Sequence, residues 1–242
     1  MSKMSKGKLY LLPNTISESS VDMQLNEGVK SMAGSLNHFI CEHAKNLRAF
    51  LKRLSIPSPY DHLDIYELNK HTDSSKIPTF LKPALSGHDM GLVSDAGCPG
   101  IADPGADVVR MAHAKGIQVI PMVGPSSLLL TLMASGLNGQ RFAFHGYLPH
   151  KEGALKQKLK ELEVESRKTG VSQLFIETPY RNERLLAYLL KYLHPSSLLC
   201  IGIDVTGSNE FVVTKSVSDW KKSQVRFDKK PCVFILGSQN AF

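Results

Sequence analysis

One stretch of the sequence combines the residue types that let a backbone approach a small ligand closely. The segment GLVSDAGCPGIADPG, residues 91–105, carries four glycines, two prolines and two aspartates directly after a short apolar run. Glycine has no Cβ, so its N–H and C=O groups can meet a ligand without steric hindrance. Asp95 follows a predicted strand, and we expect it either to organise this loop or to face the ligand.

A second candidate ligand loop, VGPSS at residues 123–127, follows the next apolar run. Ser126 or Ser127 could cap the following helix, while a hydroxyl or a free backbone N–H group binds a ligand carboxylate. Both loops also have a purely structural interpretation. Asp103 is expected to be the N-cap of a helix that starts near Pro104, and Ser126 could be a helix cap and nothing more.

The segment ETPYR, residues 177–181, places two opposite charges after the apolar run SQLFIE. By the rule that loops after parallel strands line one crevice, we expect Glu177 and Arg181 at the same edge as the glycine loop. An arginine can hold a phosphate bidentately, and a nearby carboxylate can orient or deprotonate a hydroxyl. The alternative is a structural ion-pair network at the domain interface.

Several classes of function are disfavoured by the sequence. The glycine loop does not read GxGxxG and lacks the Gly-Lys-Ser/Thr of a P-loop, so dinucleotide and nucleoside-triphosphate binding are not expected. The four cysteines are widely separated without a CxxC pair, so we expect neither a zinc site nor disulfides. No run approaches the ~20 apolar residues of a membrane span, and the short N-terminal apolar run predicts no signal peptide. We therefore expect a cytoplasmic protein without a resident metal.

The charge balance favours an anionic partner. The chain of 242 residues carries a formal net charge of +7, with a pI near 9.2. Nucleic acid is one such partner, although many moderately basic proteins bind none. The densest basic patches are residues 150–168 and 219–230, and the first of them also has the spacing of an ordinary solvated helix face.

The elements that must position these residues alternate along the chain. Short apolar runs such as KLYLL, HFIC and GLVS are each followed by a longer stretch of helical period, which predicts an α/β protein with mainly parallel sheets and flanking helices. The pattern restarts after Gly136, so we predict two domains, residues 1–122 and 123–242. The closing runs FVVTKS and CVFIL are joined briefly and predict an antiparallel edge, which makes the second sheet mixed.

Four motifs occur along the chain in the order GLVSDAGCPGIADPG, VGPSS, FHGYLPHK and ETPYR. By these motifs the chain resembles the tetrapyrrole (corrin/porphyrin) methylase superfamily. Within it, the sequence is most similar to the bacterial branch that methylates ribose 2'-hydroxyls of small-subunit rRNA. The similarity is close from about residue 90 to residue 192 and holds only in outline elsewhere.

The resemblance implies a two-domain α/β fold that binds S-adenosylmethionine in the cleft between the domains, usually as a homodimer and without metal. It also implies the site residues. Glu177, Arg181 and Glu210 match charged positions of the rRNA branch, where they could respectively orient the substrate, hold phosphate and act as a base. The expected contacts of the cofactor are Asp95, Gly97, Cys98, Ile101, Ser126 and Ser127.

The chain departs from the branch at two places. The family segment TPIGNLGD is replaced by LPNTISESS, residues 12–20, and AEDTR is replaced by CEHAK, residues 41–45. Three functions therefore stay open: methylation of an RNA ribose, methylation of a tetrapyrrole or other small metabolite, and a non-catalytic module that binds the cofactor and RNA.

Overall fold

The computed structural model describes residues 5–69, 71–73 and 75–238. Over these residues the chain separates into two compact units, and the division falls between Ser126 and Ser127. This junction lies in the same loop as the boundary that the sequence predicts between residues 122 and 123. Each unit contains one sheet with apolar clusters on both of its faces, so the chain is an α/β protein.

The sheet of the first unit is parallel throughout its described strands. These strands are β1 (Lys8–Leu12), β2 (His38–Cys41), β3 (Asp64–Glu67), β4 (Met90–Val93) and β5 (Gln118–Pro121). Their order is β3-β2-β4-β1-β5. The central strand β4 is buried over its whole length, whereas β3 and β5 at the edges are partly exposed. Helices therefore cover both faces of the sheet, as is usual for parallel sheets.

Two of the helices predicted in the first unit are each divided into shorter ones. The helices are α1 (Val21–Gln24), α2 (Glu27–Ser35), α3 (Ala44–Arg53), α4 (Ile77–Phe80), α5 (Lys82–Leu85) and α6 (Ala106–Ala114). Between α1 and α2 the backbone of Leu25 is extended, and the Asn26 side chain accepts a hydrogen bond from the backbone N–H of Val29. Asparagine is a strong N-cap, so it starts a new helix within an apolar pattern that looks continuous.

The sheet of the second unit is mixed. Its strands are β6 (Phe142–Tyr147), β7 (Ser172–Glu177), β8 (Leu198–Ile203), β9 (Phe211–Ser216) and β10 (Cys232–Gly237). Their order is β6-β7-β10-β8-β9, in which β6 and β7 are parallel and the other pairs are antiparallel. The prediction of an α/β fold is therefore confirmed, and the second sheet is mixed, with one parallel pair and three antiparallel pairs.

The strands β9 and β10 are antiparallel to β8, but they lie on either side of it and do not form the predicted edge together. The helix between them explains this arrangement. Trp220 in this helix is buried, and its indole N–H donates to the carbonyl oxygen of Leu199 in β8 at 2.7 Å. The chain therefore crosses the face of β8 before it enters β10. The helical segments of this unit are α7 (Ser127–Ser135), α8 (Glu152–Thr169), a 3₁₀ turn (Pro179–Arg181), α9 (Asn182–Tyr192) and α10 (Val217–Trp220).

None of the helices in the described ranges combines the length and the apolar character that crossing a bilayer requires.

Candidate active site

The candidate ligand loops of the first unit leave neighbouring strands at one edge of the sheet. Strands β2, β4, β1 and β5 are adjacent and parallel, so the loops that follow them start at the same edge. These loops contain residues 42–43, 94–105, 13–20 and 122–126. In open α/β sheets, this carboxyl edge is where ligands bind.

Asn14 holds the glycine loop in place. Its backbone N–H donates to the carbonyl oxygen of Gly97 at 2.9 Å, and the N–H of Gly97 donates back at 3.2 Å. The buried side-chain amide of Asn14 donates to the carbonyl oxygens of Ser94 (3.1 Å) and Asp95 (3.0 Å). The LPNTISESS segment, which departs from the family pattern, therefore supplies the main support of the glycine loop.

The VGPSS loop packs tightly against the loop after β1. A Cβ atom on Gly124 would lie 2.1 Å from Cβ of Pro13, so glycine is required at this position. The thiol of Cys98 donates to the carbonyl oxygen of Pro125 at 3.3 Å, and burial raises the pKa of this thiol. Gly97 has a φ of +66°, a conformation that favours glycine. These contacts join the three loops into one cradle.

Asp95 organises the glycine loop and the turn after β2. Its Oδ2 atom accepts hydrogen bonds from Nδ1 of His43 and Nδ2 of Asn46, both at 2.8 Å. Its backbone N–H donates to Oε1 of Glu42 at 3.3 Å. The hydrogen bond from His43 to the Asp95 carboxylate raises the pKa of this imidazole above its ordinary value of 6.5.

The altered CEHAK segment starts helix α3 in an unusual way. His43 occupies the N-cap position, but its side chain makes no capping hydrogen bond. Oε1 of Glu67, at the end of β3, instead accepts a hydrogen bond from the backbone N–H of Ala44 at 2.7 Å. A carboxylate from the neighbouring strand therefore satisfies this helix start and leaves the His43 ring for Asp95.

The prediction that Asp103 caps a helix is wrong. Helix α6 starts at Ala106, and its N-cap is Gly105, whose φ of +141° turns the chain just before the helix. Asp103 therefore precedes the cap and is partly buried. Burial and, to a lesser extent, the carboxylates of Glu42 and Asp95 raise the pKa of Asp103 to about 7. The carboxyl groups of Glu42, Asp95 and Asp103 therefore lie close enough to influence one another.

The other predicted cofactor residues lie on the same loops. The side chain of Ile101 is 53% exposed, and its backbone N–H donates to the carbonyl oxygen of Cys98 at 3.2 Å. Ser126 ends the first unit, and α7 begins at Ser127. An exposed isoleucine beside a polar cradle gives the loop an apolar surface that a ligand could cover.

In the second unit, Glu177 and Arg181 form an ion pair. The Nη2 and Nε atoms of Arg181 donate to Oε1 of Glu177 at 2.8 and 3.1 Å. The same oxygen accepts the backbone N–H of Thr178 at 2.6 Å, while Oε2 lies 3.9 Å from Nδ1 of His150. The Glu177 side chain is 8% exposed and that of Arg181 is 38% exposed. The pair is thus anchored in the protein but accessible from the arginine side.

Glu210 is not brought to this pair. The strand register aligns Glu177 with Cys232, Cys232 with Ile203, and Ile203 with Phe211, next to Glu210. Three strand spacings separate Glu177 from Phe211, which is about 14 Å along the sheet edge. The carboxylate of Glu210 accepts the backbone N–H of Thr206 at 2.6 Å and so stabilises its own loop.

Sequence reasoning overlooked Asn14 as a support of the site, along with Asn46 and Glu67. The signal for Asn14 is available in the sequence, since it follows the run KLYLL after one proline, much as Asp95 follows GLVS. Asn46 and Glu67 carry no such signal. Their roles depend on which strands and helices become neighbours.

Comparison with known proteins gives relatives along nearly the whole chain. The chain is 27% identical over 240 residues to "Ribosomal RNA small subunit methyltransferase I" of Escherichia coli O157:H7, covering 98% of this chain and 80% of that protein. It is 33% identical over 175 residues to the protein of the same name from Xylella fastidiosa, covering 72% of this chain and 61% of that protein. No protein-family model matches the chain.

Solved structures share the fold. The methyltransferase CobJ superimposes with a TM-score of 0.61 at 15% identity, covering 96% of this chain and 95% of that one. A uroporphyrin-III-C-methyltransferase from Thermus thermophilus gives a TM-score of 0.56 at 14% identity, covering 96% and 94%. The fold is therefore that of the tetrapyrrole methylases.

The two sequence relatives described here carry the same name. The chain is a homologue of proteins named ribosomal RNA small subunit methyltransferase I, and its fold is that of the tetrapyrrole methylases.

Proposed function

We propose that this protein transfers a methyl group from S-adenosylmethionine to a ribose 2'-hydroxyl of small-subunit rRNA. The observation that carries the cofactor part is the cradle made by the loops after β1, β4 and β5. The rRNA part rests on the similarity to proteins named ribosomal RNA small subunit methyltransferase I, one of which aligns with 98% of this chain. The net charge of +7 is consistent with an RNA substrate.

The residues of the cradle fit such a cofactor. S-adenosylmethionine carries a positive sulfonium and a positive amino group at neutral pH. Burial is the main cause of the raised pKa of Asp103, and the carboxylates of Glu42 and Asp95 raise it further by repulsion. A cationic ligand would relieve this repulsion. The exposed Ile101 side chain would cover an apolar part of the ligand.

We assign binding roles to the residues predicted from the sequence. The backbone groups of Gly97, Cys98 and Ile101 would contact the ligand from the glycine loop, and Ser126 and Ser127 would bind its carboxylate from the second loop. Both side-chain hydrogen bonds to Asp95 use Oδ2. Oδ1 of Asp95 is therefore the atom that we expect to face the ligand.

When bound, S-adenosylmethionine supplies a methyl group that its positively charged sulfur has already activated. The protein then has to align the acceptor hydroxyl and help to remove its proton. We propose that Glu177 orients the substrate and that Arg181 holds a phosphate. Nε and Nη2 of Arg181 donate to Glu177, and Nη1 lies 3.4 Å from Nε2 of His150, so a phosphate at Nη1 would replace His150 as its partner. Glu210 is proposed as a base from family position alone.

We further propose that the protein acts in the cytoplasm as a homodimer, as the family resemblance implies. A second candidate function is methylation of a tetrapyrrole or another small metabolite. The shared fold with the uroporphyrin methyltransferase favours it, although that likeness concerns only the fold. A third candidate is a non-catalytic module that binds the cofactor and RNA.

The proposed function is tested with methyl-labelled S-adenosylmethionine and two substrate pools. The purified protein is incubated with small ribosomal subunits that lack ribose methylation and, separately, with a metabolite extract. We expect label in the rRNA, at a nucleotide whose 3'-phosphodiester then resists alkaline hydrolysis because its 2'-hydroxyl is blocked.

Each other outcome contradicts part of the proposal. Label in the metabolite extract alone would replace the substrate. Label in an RNA base that leaves the alkaline cleavage intact would overturn the ribose assignment. Calorimetry without heat for either S-adenosylmethionine or S-adenosylhomocysteine at millimolar concentration would remove the methyltransferase function altogether.

A further inference from the structure

Helix α9 carries aromatic rings and cations that alternate along one partly exposed face, where Tyr188 and Tyr192 also pack against the core. The rings of Tyr188 and Tyr192 stack with centroids 6.1 Å apart and an interplanar angle of 17°. The guanidinium of Arg184 lies 5.4 Å from the centroid of the Tyr188 ring. The ammonium groups of Lys191 and Lys156 lie 4.9 and 5.6 Å from the centroid of the Tyr192 ring.

Helical spacing places these groups in a line. Residues 184, 188 and 192 are four positions apart, so successive groups rise by about 6 Å along the helix axis. The opposite face of α9 is fixed in the core by Leu185 and Leu189, which are buried. Glu152 of α8 accepts hydrogen bonds from the ammonium of Lys191, at 2.9 Å, and from the hydroxyl of Tyr192.

Tyr180 lies four positions before Arg184, in the 3₁₀ turn that precedes α9. Its side chain is 81% exposed, and the ammonium of Lys229 lies 5.7 Å from the ring centroid. Tyr180 directly precedes Arg181. We name the surface formed by Tyr180, Arg184, Tyr188, Lys191, Tyr192, Lys156 and Lys229 the tyrosine ladder.

The tyrosine ladder adjoins the ion pair that we assign to substrate binding. A cavity of about 40 Å³ is lined by Glu177 and Arg181 and also by Arg184 and Tyr188 of the ladder. A ligand that lies along the ladder would therefore reach Arg181 without leaving the second unit.

The energies favour an exchange of partners on this surface. Cation–π contacts at exposed sites contribute about 0.5–1 kcal/mol each. Stacking of a nucleic acid base on an aromatic side chain contributes ~1–3 kcal/mol. An incoming base can therefore displace a lysine or arginine from a tyrosine ring, and the displaced cation can then pair with a phosphate. The ladder holds four cations, Arg184, Lys191, Lys156 and Lys229, around its three rings.

We propose that the tyrosine ladder binds a single-stranded segment of RNA by stacking its bases and pairing with its phosphates. This proposal rests on the proposed function, because it identifies the surface that would hold the rRNA beside Arg181. Duplex RNA keeps its bases stacked on one another, so it would meet only the charges of the ladder.

The test measures fluorescence anisotropy of a labelled 12-nucleotide single-stranded RNA and of a fully paired RNA duplex. Tyr180→Ala removes an exposed ring, so the fold should be unaffected. We expect it to weaken single-strand binding by about 5-fold or more, the low end of the stacking energy. Tyr180→Phe should bind as the wild type does, because it keeps the ring. Arg184→Ala should also weaken binding.

Arg110→Ala is the matched control, since Arg110 is another exposed helical arginine, with 79% of its side chain accessible. It should leave the affinity unchanged. Equal affinity of the wild type, Tyr180→Ala and Arg184→Ala for single-stranded RNA would overturn the proposal. Tighter binding of the duplex, or competition by polyglutamate as effective as that by unlabelled RNA, would also overturn it, because charge alone would then explain binding.

The outcome can be separated from that of the proposed function. If the ladder variants lose RNA affinity while the wild type transfers no methyl group, the ladder stands and the methyltransferase proposal fails. If the wild type methylates rRNA and the ladder variants bind the single strand normally, only the ladder proposal fails.

Discussion

Replacing Gly124 by alanine should damage the cofactor cradle more than it damages the fold. The new Cβ atom would lie 2.1 Å from Cβ and 2.3 Å from Cγ of Pro13. Carbon atoms pack at about 3.5–4.0 Å, so the loops after β1 and β5 would have to separate by ~1.4 Å or more. Overpacking of this kind typically costs about 1–3 kcal/mol of stability.

The functional loss should be larger than this stability loss suggests. Asn14 follows Pro13 directly and supports the glycine loop, so displacement of Pro13 would shift two ligand-binding loops together. A misplacement of ~1 Å can reduce turnover about a hundredfold. We expect Gly124→Ala to weaken binding of S-adenosylmethionine at least tenfold, about 1.4 kcal/mol. The affinity is measured by calorimetry, and the free energy of unfolding by urea titration with circular dichroism.

Gly139→Ala is the matched control. A Cβ atom on Gly139 would have no heavy atom within 4 Å apart from its chain neighbours, and its backbone does not have a positive φ. This variant should bind the ligand as the wild type does. If folded Gly124→Ala bound S-adenosylmethionine within twofold of the wild type, the contact between the loops would not position the ligand, and the reasoning would be refuted.

Three further predictions concern titration and packing. The pKa of Asp103 is about 7 in the folded protein, against 3.8 ordinarily. Ionisation of this group therefore destabilises the fold increasingly as pH rises from about 4 to 7. Asp103→Asn should remove this destabilisation, so the variant's urea midpoint should exceed that of the wild type by more at pH 8 than at pH 5. An equal difference at the two pH values would contradict the raised pKa. The imidazole of His43 should titrate above pH 6.5 in NMR spectra and at a lower pH in Asp95→Asn than in the wild type. Its contribution to stability should be complete below pH 6.5 and disappear as pH rises through the folded pKa. An unchanged titration in that variant would exclude Asp95 as the cause. Trp220→Phe leaves the buried carbonyl of Leu199 without its hydrogen bond and should cost ~1–3 kcal/mol in urea unfolding, whereas wild-type stability would show that the bond contributes little.

The sequence by itself determined the local elements and the candidate ligand loops. Apolar runs of strand length, such as KLYLL, HFIC and GLVS, fall on β1, β2 and β4, because burial on both faces of a parallel sheet requires continuous apolar residues. The two glycine-containing loops follow strands of the first unit as predicted, since glycine and proline mark turns through their own backbone preferences. The family resemblance, carried by long ordered motifs, agrees with the relatives and with the fold.

Only the tertiary structure decided which of these residues meet. Asn14 and Gly97 are 83 positions apart in the numbering, yet they pair because β1 and β4 are neighbours in the sheet. Asp103 appeared to be a helix cap by local preference, but the turn at Gly105 moved the cap and left Asp103 beside other carboxylates. Glu177 and Arg181 form their pair through a 3₁₀ turn, whereas Glu210 lies three strands away because β10 inserts between β7 and β8. Local propensity depends on a few consecutive residues, but strand order depends on the packing of the whole unit, and strand order determines which side chains share a site.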